Sequence, residues 1–211
     1  MLSPLSKLAY VRSRFDAACA AFMRSGGVDL LRRRSEGGAT EQKISGEFAR
    51  HLEKVLRDDG VLGDANVDSE YYYDGDQAKM MAAMEQYAEI IELARRKLRY
   101  NGKVGIRPDI IVHRPGRQGP NHLVIEIKKR SNASTDQERF DLLKLKMMTS
   151  TAQIYRYSFG LQVRAFDSND PAERRLEVLS IWEKGARVGL DTVQRTGNQR
   201  ERRQPHARYR P

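Results

Sequence analysis

Two short apolar runs, Arg107-Pro108-Asp109-Ile110-Ile111-Val112-His113 and Leu123-Val124-Ile125-Glu126-Ile127-Lys128, each carry charge inside a stretch that otherwise reads as a buried strand. Side chains alternate faces along a strand, so Asp109 shares a face with Ile111, and Glu126 and Lys128 share a face with Val124. The segment between the runs, Arg114-Pro115-Gly116-Arg117-Gln118-Gly119-Pro120-Asn121, is rich in turn-forming residues and predicts an antiparallel hairpin. Two carboxylates and an amine then converge on one point. Charges on a buried face are costly without partners, so the fold has to be built around whatever compensates them.

The flanking sequence supplies helices and further strands. Leu5, Leu8, Val11, Phe15, Ala18, Cys19, Phe22 and Met23 recur at helical spacing over residues 3–24, and Ser25-Gly26-Gly27 ends that helix. Residues up to 39, including Arg32-Arg33-Arg34, read as a loop. A second helix is expected over 41–57, capped by Thr40, with Ile44, Phe48, Leu52 and Val55 as its buried stripe and Glu47 at the edge of that stripe. Residues 67–73 read as a strand, 80–98 as a third helix, and 136–148 as a fourth with Phe140, Leu143 and Met147 on one side. Two more strands are expected over 154–166 and 175–182. This order predicts an α/β (α+β) fold with a central mixed β-sheet flanked by helices.

A chain of 211 residues suits one main domain. The expected division is 1–39, an N-terminal helix and connecting loop; 40–190, the core; and 191–211, a basic tail expected to be disordered unless a partner orders it. The lone Cys19 excludes a disulfide framework, and no apolar run approaches the length needed to span a bilayer. A cytoplasmic protein is therefore expected. The formal charge of +10 favours a polyanionic partner. Six arginines against Asp191 and Glu201 put +4 in the tail, which leaves +6 for the body.

Hard divalent cations such as Mg²⁺ prefer carboxylate and carbonyl oxygens and keep several waters for a phosphate to share. Asp109 and Glu126 are suitable ligands, and the backbone carbonyl of Ile127 could supply a third oxygen. An ion there would polarise a phosphodiester and lower the pKa of an attacking water. Lys128 could place positive charge beside the phosphate or orient the water, and Glu47 could reach the cluster from the second helix directly or through a metal-bound water, with Glu41, Glu53 and Glu70 as other acids nearby in sequence. Arg107, Lys129, Arg130 and Lys144 flank it as candidate nucleic-acid contacts. The competing reading is a buried ion pair of Lys128 with Asp109 or Glu126, which would leave one carboxylate uncompensated. His113 has the strand parity of Asp109 but reads as a surface residue closing a strand.

Pro108-Asp109, followed by Glu126-Ile127-Lys128 and an upstream helical acid best matched by Glu47, resembles the PD-(D/E)xK nuclease superfamily over residues 40–165. The resemblance implies a restriction-endonuclease-like sheet, dependence on Mg²⁺ with Mn²⁺ as a substitute, and cleavage of nucleic acid, DNA in preference to RNA. It makes Glu47, Asp109, Glu126 and Lys128 the expected catalytic set. Gln153 and Tyr157 have the spacing of the family's exonuclease motif but fall where a strand begins, so that motif is not carried over. The alternative is a catalytically silent nucleic-acid-binding or protein-interaction module on the same fold. A homodimer or a larger nuclease complex is compatible with either reading.

Overall fold

The computed structural model describes residues 4–69, 73–74, 77–78, 80–81, 104–105, 108–115, 121–133, 135–151 and 157–189. Its frame is a six-stranded sheet with helices on both faces, an α/β architecture. The strands β1 (Asn66–Ser69), β2 (Ile110–His113), β3 (Asn121–Lys129), β4 (Tyr157–Phe166), β5 (Arg175–Glu183) and β6 (Ala186–Val188) lie side by side in chain order. All neighbours are antiparallel except β3 and β4, which run parallel. Parallel neighbours need a crossover, and helix α3 (Thr135–Met148) supplies it. The sheet is therefore mixed, and β2 and β3 form the expected antiparallel pair, with Ile110 opposite Ile125 and Ile111 opposite Val124.

Strand parity divides the core. Ile110, Val112, Leu123, Ile125 and Ile127 face the larger cluster, where they meet helices α1 (Leu8–Phe22) and α2 (Glu41–Asp58). Ile111 and Val124 face the opposite side and pack with Leu145, Met147, Met148 and Tyr157. α1 belongs to the same core as α2: Phe48 meets Phe15 at 5.1 Å in a tilted contact and Phe22 at 6.0 Å edge to face. Truncating Phe48 to alanine would cost about 3–5 kcal/mol by lost burial and the cavity left behind.

Several expected elements take a different form. Residues 23–39 contain a π-helical turn at Met23–Gly27, a short helical turn at Val28–Leu30 and a 3-10 turn at Arg34–Glu36. Gly26 adopts φ 97°, which a side chain would strain. A Cβ on Gly38 would come within 1.9 Å of the Arg32 carbonyl oxygen, so glycine permits the close return of the backbone there. Met80–Met81, expected to open a helix, forms a two-residue ladder with Val104–Gly105, where cross-strand pairing overrides helical spacing. The rest of that expected helix, 82–98, lies outside the described residues, as do the tail, Arg107 and Gln153. Among the described residues, no helix is long and apolar enough to cross a membrane.

Candidate active site

β2 is shorter than β3, and that mismatch creates the site. The last pair between them is Ile110 with Ile125, so the β3 main chain beyond Ile125 has an edge that β2 does not cover. Buried amides need acceptors. Two carboxylates provide them: Asp109 Oδ2 accepts from Ile127 N at 2.6 Å, and Glu41 Oε1 accepts from Lys129 N at 2.9 Å. In an antiparallel strand the N–H and C=O of one residue point to the same edge, so the Ile127 carbonyl also faces the edge that β2 leaves uncovered. Extending the register by one residue sets Asp109 opposite Glu126 on the face of Ile111 and Val124.

Helix α3 closes that face with charge. Lys144 Nζ lies 2.6 Å from Glu126 Oε2 and 3.0 Å from Asp141 Oδ1, and all three residues are buried. Lys128 Nζ lies 3.1 Å from Glu41 Oε2 and 3.7 Å from Asp141 Oδ2. Thr40 positions Glu41 by capping α2, its hydroxyl oxygen accepting from Lys43 N at 3.3 Å. The cluster thus draws one acid from α2, one from the entry to β2, an acid and a lysine from β3, and an acid and a lysine from α3.

Every carboxylate oxygen in this cluster has a partner except two. Asp109 Oδ1 has none among the described residues, and Glu126 Oε1 is a buried oxygen without a hydrogen-bond partner. Asp109, Glu126, Asp141 and Glu41 set against Lys128 and Lys144 leave a formal charge of −2. Burial lifts the Asp109 carboxyl to about 6, against the pull of Lys144 and the Ile127 amide. Burial also raises Glu126 well above the usual carboxylate range, with Lys144 opposing and Asp109 and Asp141 adding to the rise. For Lys144 and Lys128, burial works against the charge. The surrounding carboxylates, chiefly Glu126 and Asp141 for Lys144 and Asp141 and Glu41 for Lys128, nevertheless hold both ammonium groups above the ordinary lysine value.

The residues fit a hard divalent ion in donor type and charge. Asp109 Oδ1, Glu126 Oε1 and the Ile127 carbonyl are oxygen donors, and a dication would balance the residual −2. No group of three or more His, Cys, Asp or Glu side chains among the described residues is placed to share an ion. Two carboxylates, one main-chain oxygen and water would have to suffice, which is a common arrangement for Mg²⁺.

Asp109, Glu126 and Lys128 come together as the strand spacing predicts. Glu47 does not join them. It pairs with Arg50 and His51 farther along α2, and the acid that reaches the cluster is Glu41, six residues earlier on that helix. Lys128 pairs with neither Asp109 nor Glu126, so the simple ion-pair alternative takes a different form, with Lys144 as the partner of Glu126.

Two of the expected nucleic-acid contacts are interior groups. Lys144 is locked between Glu126 and Asp141, and Lys129 is 1% exposed, its ammonium held by Asp167 at 3.4 Å and the carbonyls of Arg32 and Ala39. Arg130 is exposed, as expected of a contact residue, and rests over Phe166. His113 is buried and hydrogen-bonded to Asp68 at 2.6 Å, a packed interior histidine in place of the expected surface residue.

Asp141 escaped the sequence reading, and Glu41, one of the acids near Glu47 in sequence, was not the one preferred. A signal for Asp141 existed: Asp141, Lys144, Leu145 and Met148 fall at i, i+3, i+4 and i+7, a charged pair inside a buried helical face. The stripe of Phe140 and Leu143 is only partly buried because the helix turns its charged pair inward to meet Glu126 and Lys128. No protein-family model, curated protein or solved structure matches this chain.

Proposed function

We propose that the chain is a divalent-metal-dependent nuclease of the restriction-endonuclease-like type, working in the cytoplasm on DNA. The observation that carries this reading is the pair of carboxylate oxygens without a partner among the described residues, the buried Glu126 Oε1 and Asp109 Oδ1, in a cluster that holds Lys128 and has a formal charge of −2. Asp109, Glu126 and the Ile127 carbonyl would hold the ion, Mg²⁺ or Mn²⁺. When bound, it supplies Lewis-acid polarisation of a phosphodiester and acidification of an attacking water.

The protein side chains have separate tasks. Lys128, kept charged by Asp141 and Glu41, offers an ammonium to the charge that grows on the phosphoryl oxygens. Glu41 fixes where that ammonium sits and ties it to the β3 main chain. Lys144 favours the ionised form of Glu126 against its burial. The basic composition of the body supports a polyanionic substrate.

Incubating the purified chain with DNA and Mg²⁺ or Mn²⁺ tests the reading. Degradation is expected, with loss of activity in Asp109→Asn and in Lys128→Ala. Activity unchanged in both variants would sink the assignment. The second reading, a silent binding module, draws support from the Lys144–Glu126 pair, which neutralises one acid internally. Calorimetry separates the two. Binding of millimolar Mg²⁺ that disappears in Glu126→Gln favours the nuclease, and no binding favours the module.

A further inference from the structure

Lys144 occupies a place where a cation is needed. Sites that use two divalent ions hold them about 3.5–4 Å apart and rely on carboxylates with both oxygens available to bridge or flank the pair. In this cluster the oxygens are already assigned. Glu126 Oε2 and Asp141 Oδ1 belong to Lys144, at 2.6 and 3.0 Å. Asp141 Oδ2 and Glu41 Oε2 belong to Lys128, at 3.7 and 3.1 Å. Glu41 Oε1 and Asp109 Oδ2 belong to the amides of Lys129 and Ile127. Among the described residues, only Asp109 Oδ1 and Glu126 Oε1 remain, which with one carbonyl is a donor set for one ion.

Building on the nuclease reading above, we propose that Lys144 is a resident substitute for a second cation, so that the centre takes one divalent ion and not two. Lys144 is a positioning residue: it reserves one oxygen of Glu126, presents the other, and fills the space between Glu126 and Asp141. Its ammonium cannot leave that space without exposing two buried acids to each other. Removing the charge while keeping the length of the side chain, as in Lys144→Met, changes the cluster from −2 to −3 and releases Glu126 Oε2 and Asp141 Oδ1 as ligands.

Mn²⁺ titration of the full chain, read by electron paramagnetic resonance, tests this directly. Wild type is expected to bind one Mn²⁺ per chain with an uncoupled spectrum, and so is Lys144→Arg, which keeps the charge. Folded Lys144→Met is expected to bind two, with a spin-coupled spectrum. Two ions in the wild type would overturn this inference alone, as would a folded Lys144→Met that still binds one. The wild-type count decides the matter where Lys144→Met does not fold. A chain that binds no Mn²⁺ at all overturns the metal reading and this inference with it.

Discussion

Asp109→Asn is expected to make the metal-free chain more stable while removing its capacity for a divalent ion. Burial raises the Asp109 carboxyl from 3.8 to about 6. That rise of roughly two units corresponds to about 3 kcal/mol at about 1.4 kcal/mol per unit. Because the folded state binds this proton more tightly than the unfolded chain, the charged side chain costs little below about pH 4. The cost builds between about pH 4 and 6 and is complete above that. Asp109 keeps partial contact with solvent, so about 2 kcal/mol is the better figure.

An asparagine retains an oxygen for the Ile127 amide, carries no charge to desolvate, and relieves the repulsion that Asp109 exerts on Glu126. For a chain of this size, about 2 kcal/mol corresponds to a Tm increase of roughly 4–8 °C. Thermal unfolding in EDTA at pH 4 and pH 8 measures it. The gain should be present at pH 8 and largely gone at pH 4. Excess Mg²⁺ should then raise the Tm of the wild type by mass action and leave the variant where it was. A variant less stable than wild type at pH 8, or a gain of equal size at both pH values, would refute the reasoning.

Three other perturbations separate the roles of neighbouring residues. Glu41→Gln weakens the hold on Lys128 and should lower the DNA cleavage rate by about tenfold or more, whereas Glu47→Gln, confined to a pair with Arg50 and His51, should leave the rate within about twofold. Lys129→Met leaves Asp167 without its buried cation and should cost about 3 kcal/mol in urea unfolding. Arg33 and Arg130 line a cavity of about 480 Å³ with Ser131, Asp167 and Glu173, and neither guanidinium has an acidic partner among the described residues. Replacing both with alanine should weaken DNA binding and reduce the slope of log K against log salt by roughly two. An unchanged slope would remove them from the substrate path.

How much of this was legible in the sequence depended on whether neighbouring residues or distant ones did the positioning. The β2–β3 pair and its shared face follow from alternation and turn chemistry, which act over a few residues, and both appear as expected. The α2 boundaries and the Thr40 cap follow for the same reason. The choice between Glu41 and Glu47 did not, because both lie on one helix and only the docking of that helix against β3 decides which acid meets Lys128. Lys129 and Lys144 looked like solvent-facing cations because lysines usually are. Their burial depends on Asp167 and Glu126, each brought in by tertiary packing. Asp141 was legible in principle, as a charged residue at an interior position of α3.

The early end of β2 also gives the site its own observers. The amides of Ile127 and Lys129 are held by the carboxylates of Asp109 and Glu41, where a neighbouring strand would ordinarily have held them. A proton or an ion arriving at either acid alters the acceptor of a specific main-chain N–H. In a nitrogen–proton correlation spectrum those two cross-peaks should follow the acids independently, one sensing the ion-facing carboxylate and the other the anchor of Lys128. Occupancy and lysine positioning can thus be followed on the unmodified chain, with no substrate present.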